Sequence, residues 1–266
     1  MHSSARGFRP RLLAFSGALV LVAGAVAFGA LRPWMPLPAS APAGAGEGIE
    51  AIIPAQLVLP EHPRILVFGD SWTYGAAAED PRQGYAYVLA ELLDGETIVD
   101  GARGSGYIRP GSDGPPFGER ISHLDPALDP DLVVIQGSIN DRLADRAELR
   151  EAVVSAWNAL SAKYPDAPIV VLGPAPHLLP VGTGTARIDA DLAELAAARG
   201  WWYISPVQQN WITPDNYEHV IDVGFGRRHP STEGHRYLAE KLAAALKELS
   251  AAVVTEAGRA KTDAQQ

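Results

Sequence analysis

The chain has no cysteine. That excludes disulfides, thiolate nucleophiles and cysteine metal centres. It is poor in base: 22 Lys and Arg face 31 Asp and Glu, a formal charge of -9. An acidic surface repels phosphate backbones, which argues against nucleic acid as a partner. The histidines are not spaced as H-x-x-x-H, so no metal site is expected. The glycines at 101, 104 and 106 lack the G-x-G-x-x-G spacing of a dinucleotide-binding turn. There is no G-x-S-x-G either, which removes the nucleophile elbow of the α/β-hydrolases. No cofactor is implied by any of this.

What is present begins with a charge-free run. Residues 12–31, LLAFSGALVLVAGAVAFGAL, follow Arg6, Arg9 and Arg11. Twenty residues at ~1.5 Å rise give about 30 Å of helix, enough to cross a bilayer. The preceding arginines favour an N-terminus left in the cytoplasm. Two readings stand: a retained single-pass anchor, or a signal peptide cut near Ala25-Val26-Ala27. Both place the remainder at the outer face of the cell membrane or in a secreted form. Residues 32–60 are rich in Pro, Ala and Gly and read as a spacer. A folded domain is expected over 61–250 and a frayed tail over 251–266.

Within the domain, apolar runs alternate with helical periodicity. Strands are expected at 64–69, 97–100, 131–137, 168–174 and 201–205, and helices at 86–93, 143–163, 185–199 and from about Ser231. Continuous apolar strands separated by helices predict a parallel sheet covered on both faces, an α/β fold of three layers. Ligands of such sheets bind beyond the carboxyl ends of the strands. Those ends carry Gly69-Asp70-Ser71, then DGARGSGY (100–107), then QGSIND (136–141), and GRRHPSTEGH (226–235) precedes the last helix. A serine, a glycine-rich turn, an asparagine and a histidine are the parts of acyl transfer: nucleophile, base and oxyanion donors. Arg227 and Arg228, beside His229, suit an anionic substrate or simple solvation. Trp72 and Tyr74 suit an acyl or sugar pocket, or the core.

These four blocks, in this order, resemble the SGNH/GDSL hydrolases. Gly69-Asp70-Ser71 matches the first block and Gly104 (or Gly106) the second. Gly137 with Asn140 and Asp141 matches the third, and His229-Pro230 the last. The resemblance covers roughly residues 62–250. It implies a flavodoxin-like α/β/α fold and hydrolysis of acyl esters, often acetyl or short-chain esters of carbohydrates. It implies Ser71 as nucleophile and His229 as base, with the Ser71 and Gly104 N–H groups and the Asn140 amide as oxyanion donors. The substrate expected is a small-molecule or glycan ester. Transfer of the acyl group to an envelope glycan, or glycan binding without catalysis, are alternative outcomes of the same blocks. One position departs from the pattern. The acid usual three residues before the histidine is replaced by Gly226. Asp222 could orient the ring instead, a backbone carbonyl could do so in a Ser–His dyad, or activity could be largely lost.

Overall fold

The computed structural model describes residues 54–251 apart from Arg227. The hydrophobic run at 12–31, the spacer up to residue 53, the tail from 252 and Arg227 lie outside the described residues. Among the described residues no helix is long and apolar enough to cross a membrane.

Five parallel strands form the central sheet: β1 (Arg64–Gly69), β2 (Glu96–Gly101), β3 (Leu132–Gln136), β4 (Ile169–Leu172) and β5 (Trp202–Ile204), in the order β2-β1-β3-β4-β5. Every interior strand is apolar on both sides because both sides are covered. Ile65 and Val67 of β1 face the layer of α2 (Tyr85–Leu93) and α7 (Thr232–Ala251). Leu66 and Phe68 face α3 (Phe117–His123), α4 (Arg146–Lys163) and α5 (Thr183–Ala197). Removing one of the large buried side chains, such as Phe68 or Trp157, would cost about 3–5 kcal/mol. Trp201 packs on one face of the sheet and Trp202 on the other, as expected from their adjacency in a strand.

The strands and long helices fall where periodicity puts them, within a few residues. α4 begins at Arg146, not 143, because Asp145 caps it by accepting from the Ala147 and Glu148 N–H groups. Ser231 caps α7 through the Gly234 N–H at 2.9 Å. Shorter elements carry no periodic signal and were not expected: α1 (Ser71–Tyr74), α3, α6 (Tyr217–Val220) and a two-residue hairpin of β6 (Ile221–Asp222) with β7 (His229–Pro230). The packed unit also starts earlier than composition suggests. Leu57 is buried, and its N–H donates to the Leu249 carbonyl.

The order of the sheet fixes where a site can form. The chain leaves β1 to one side for β2, then returns to the other side of β1 for β3. The crevice of an open parallel sheet opens at such a reversal, above the carboxyl ends of the two strands. Here those ends deliver Ser71 and the 137–141 segment.

Candidate functional site

Ser71 is the first residue of α1, directly after β1. Asp70 caps that turn, its Oδ1 accepting from the Trp72 N–H at 2.9 Å. Asp70 is buried, and burial pushes its carboxyl up to about 7. Behind it lies a closed polar network. In the amide orientation its neighbours require, Gln136 donates to Asp70 Oδ1 at 3.0 Å and to Thr73 Oγ1 at 2.9 Å. Thr73 Oγ1 in turn lies 2.8 Å from the Tyr85 hydroxyl. Arg120, also buried, donates to the Gly69 carbonyl at 2.8 Å and the Asp100 carbonyl at 2.7 Å, and stacks on Phe68. It ties the ends of β1 and β2 together beneath the serine. Gln136, Thr73 and Arg120 carry no motif signal, and sequence reasoning missed them.

His229 comes from the β6–β7 hairpin. Its Nε2 lies 2.8 Å from Ser71 Oγ, and its Nδ1 lies 2.7 Å from the Gly226 carbonyl. A carbonyl only accepts, so Nδ1 carries the proton and Nε2 is left to accept from the serine hydroxyl. This is the tautomer a general base requires.

The expectation that Asp222 orients the ring is corrected by the geometry. Asp222 Oδ1 accepts from the Gly224 N–H at 2.7 Å and Oδ2 from the Gly226 N–H at 2.9 Å. Among the described residues no hydrogen bond joins Asp222 to His229's ring. The carboxylate folds the loop, and the loop presents the Gly226 carbonyl to the ring. The glycine is needed there. A Cβ at 226 would stand 2.6 Å from the Ala77 Cβ and 2.7 Å from the Asp222 Cβ, closer than side chains approach. No acid fits at the usual position in this loop without displacing both neighbours.

Ser71, Gly104, Asn140 and His229 line one cleft of about 330 Å³, with Arg103, Arg109 and Ser112 on its wall. Gly104 holds a left-handed φ of +77°, which turns the chain back at the cleft edge. Asn140 Nδ2 donates to the Ser105 carbonyl at 2.9 Å, which fixes its amide and leaves its second amide proton for the cleft. Asp141 is not a helix cap. It accepts from the Tyr107 N–H at 2.7 Å and the Arg109 N–H at 3.0 Å, and so braces the loop that carries Gly104. Gly106 packs against that carboxylate.

The aromatics divide. Trp72 is core, and Tyr74 lies under the Arg103 guanidinium. His235 is buried and structural: it accepts from the Tyr85 N–H and meets the Ala76 carbonyl, and burial lowers its pKa to about 4. Among the described residues no three His, Asp or Glu side chains gather as metal ligands.

A doubly wound α/β fold with a serine–histidine pair at the strand-order reversal defines a class. Within that class the chain belongs to the GDSL-like lipase/acylhydrolase family, whose model matches residues 67–237. A GDSL lipase of Mycobacterium tuberculosis is 31% identical over 144 residues, 52% of this chain and 59% of that protein. The chain thus spans about three fifths of the length of the curated relative it matches. Among solved structures, a family two carbohydrate esterase from Clostridium thermocellum with bound cellohexaose aligns at a TM-score of 0.57. It shares 22% identity, over 72% of this chain and 66% of that one. The inhibitor-bound aryl esterase of M. smegmatis aligns at 0.54, with 20% identity over 70% and 99%. At these identities the structural likeness speaks for the fold.

Proposed function

We propose that this protein is a serine ester hydrolase acting outside the cytoplasm on acetyl or other short acyl esters. The reading is carried by one observation, the 2.8 Å approach of Ser71 Oγ to a His229 Nε2 whose partner nitrogen is already occupied as donor.

In this mechanism Ser71 attacks the ester carbonyl as His229 takes its proton. Charge then develops on the former carbonyl oxygen, inside a cleft edged by the Ser71 N–H, the Gly104 N–H and the Asn140 amide. The imidazolium returns the proton to the leaving alcohol. Water, activated by the same ring, releases the acid and restores Ser71. The Gly226 carbonyl orients the ring with a partial charge only, so a Ser–His dyad does the work of a triad.

The family supports the ester as reactant. The carbohydrate esterase and aryl esterase neighbours support a small-molecule or glycan ester as substrate. The charge-free run at 12–31 supports a membrane-anchored or exported protein. Hydrolysis of p-nitrophenyl acetate by the wild type and by Ser71→Ala tests the reading. Turnover in the wild type with a loss of about 10⁴-fold in the variant is expected; equal rates would overturn it.

A further inference from the structure

Beside the cleft lies a second groove of about 480 Å³. The two share a frame. Asn140 and His229 line the cleft, whereas Arg142 and Arg228, next along the same two segments, line the groove with His177 and Arg187. Among the described residues no carboxylate lines it. That is unexpected in a chain with nine more acids than bases.

Six arginines elsewhere, Arg64, Arg103, Arg120, Arg146, Arg150 and Arg236, each meet an Asp or Glu; among the described residues Arg82, Arg109 and Arg199, none of which lines this groove, do not. Among the described residues Arg142, Arg187 and Arg228 form no such pair. Arg142 and Arg187 are aimed by carbonyls instead. Arg142 Nη1 donates to Ile139 at 3.2 Å, and Arg187 Nη2 to Ala144 at 3.0 Å. A carbonyl fixes a guanidinium without neutralising it. Asp145, the acid that feels Arg187, is committed to capping α4. The charges act on one another's surroundings: Arg142, Arg228 and His229 all add to the burial that lowers the His177 pKa. His177 Nδ1 is buried without a hydrogen-bond partner.

We propose that this groove is an anion subsite, which receives a carboxylate or phosphate group on the alcohol portion of the ester. The assignment to the alcohol rests on the proposed mechanism. The leaving oxygen must lie within reach of His229 Nε2 to collect its proton, so the alcohol extends from the histidine's side of the cleft. Arg228 adjoins that side. Arginine forks bind oxyanions in pairs of hydrogen bonds, and unmatched arginines in an otherwise acidic surface select for them. The substrate class is therefore an acidic ester, such as an acylated uronate or a phosphorylated glycan.

Binding is read in the full chain carrying Ser71→Ala, by titration calorimetry. One arm compares tetragalacturonate with neutral galactotetraose; the other compares mannose 6-phosphate with mannose. Expected is an anionic ligand, in one arm or both, that binds about tenfold or more tighter than its neutral parent. The responding arm identifies the anion. The advantage should shrink in about 0.5 M salt through screening, and vanish on adding Arg187→Gln. Arg187 also anchors a turn, so the exposed Arg228→Gln is a second variant and should reduce the advantage with the fold intact. Equal binding of charged and neutral ligands in both arms, or an advantage untouched by both substitutions, would overturn the subsite. This readout needs no turnover, so it can fail while p-nitrophenyl acetate hydrolysis succeeds, and the reverse.

Discussion

Ser71 and His229 meet across one hydrogen bond, yet the two sides of that bond are built in opposite ways. The serine stands on the end of a central strand. Beneath it are buried Asp70, Thr73, Gln136 and Arg120, each tied to the next or to the strand ends. The histidine stands on a short hairpin of two-residue strands whose loop carries Val223 exposed and Phe225 fully in solvent. Its ring is aimed by a local backbone carbonyl, and that carbonyl by Asp222. Core packing fixes the nucleophile, while a short loop fixes the base. The first support is costly to disturb and global; the second is cheap to disturb and affects chemistry more than stability.

That contrast can be broken at its junction. Ser71→Ala and His229→Ala should each lower kcat on p-nitrophenyl acetate by about 10⁴-fold, and the double variant should lose little more, because the pair acts as a unit. Additive losses in steady-state kinetics would show that the two residues do not cooperate.

On the nucleophile side, Arg120→Ala should destabilise the fold by about 3 kcal/mol in urea unfolding. This is the low end for a broken buried pair, because Asp100 stays partly in water. On the base side, Asp222→Ala should cost about a hundredfold in kcat through a misplaced ring, with a melting temperature close to wild type. Gly226→Asp, which restores the acid of the family pattern, should lower kcat as well, since Ala77 and Asp222 leave its Cβ no room. A gain in kcat from Gly226→Asp would refute the account of this loop.

A finer test uses two buried titrating groups. Asp70 is raised from 3.8 to about 7, so the fold holds its proton longer than the unfolded chain does, and stability falls as pH rises through that window. His235 is lowered from 6.5 to about 4, so the unfolded chain holds its proton longer, and stability rises over that window. Between about pH 4 and 6.5 the two slopes oppose one another. Melting temperatures of Asp70→Asn should therefore climb more steeply with pH there than those of the wild type; a shallower climb would contradict the assignment. Smallest of all, Phe225→Ser should change unfolding stability by less than about 0.5 kcal/mol, since its side chain touches water on every side.

The strands, the main helices and the polar residues at their ends were legible because each leaves a periodic or punctuating signal: ILVFG before Asp70-Ser71, LVVIQ before Ser138, the leucine stripe of α7. The short α1, α3 and α6 were not. They are too brief to show a period and are held by tertiary contacts, as α3 is by Phe117 against Phe68. Asp141 stands shortly before a helix, yet it reaches back to the 107–109 backbone, a pairing no local pattern records. The missing acid before His229 was visible as Gly226, and a backbone carbonyl stood among the open replacements; that the carbonyl is Gly226's own, and that Asp222 folds the loop instead of meeting the ring, was not visible.

By itself the sequence determined the layered α/β fold and the order of its blocks, since apolar period and turn residues act over a few positions. Which atoms complete the site was decided only by the tertiary structure. The Gly226 carbonyl on the imidazole, the Arg120 brace under β1 and the three arginines gathered at one groove join residues far apart in the chain or use backbone atoms, and neither leaves a mark in the order of side chains.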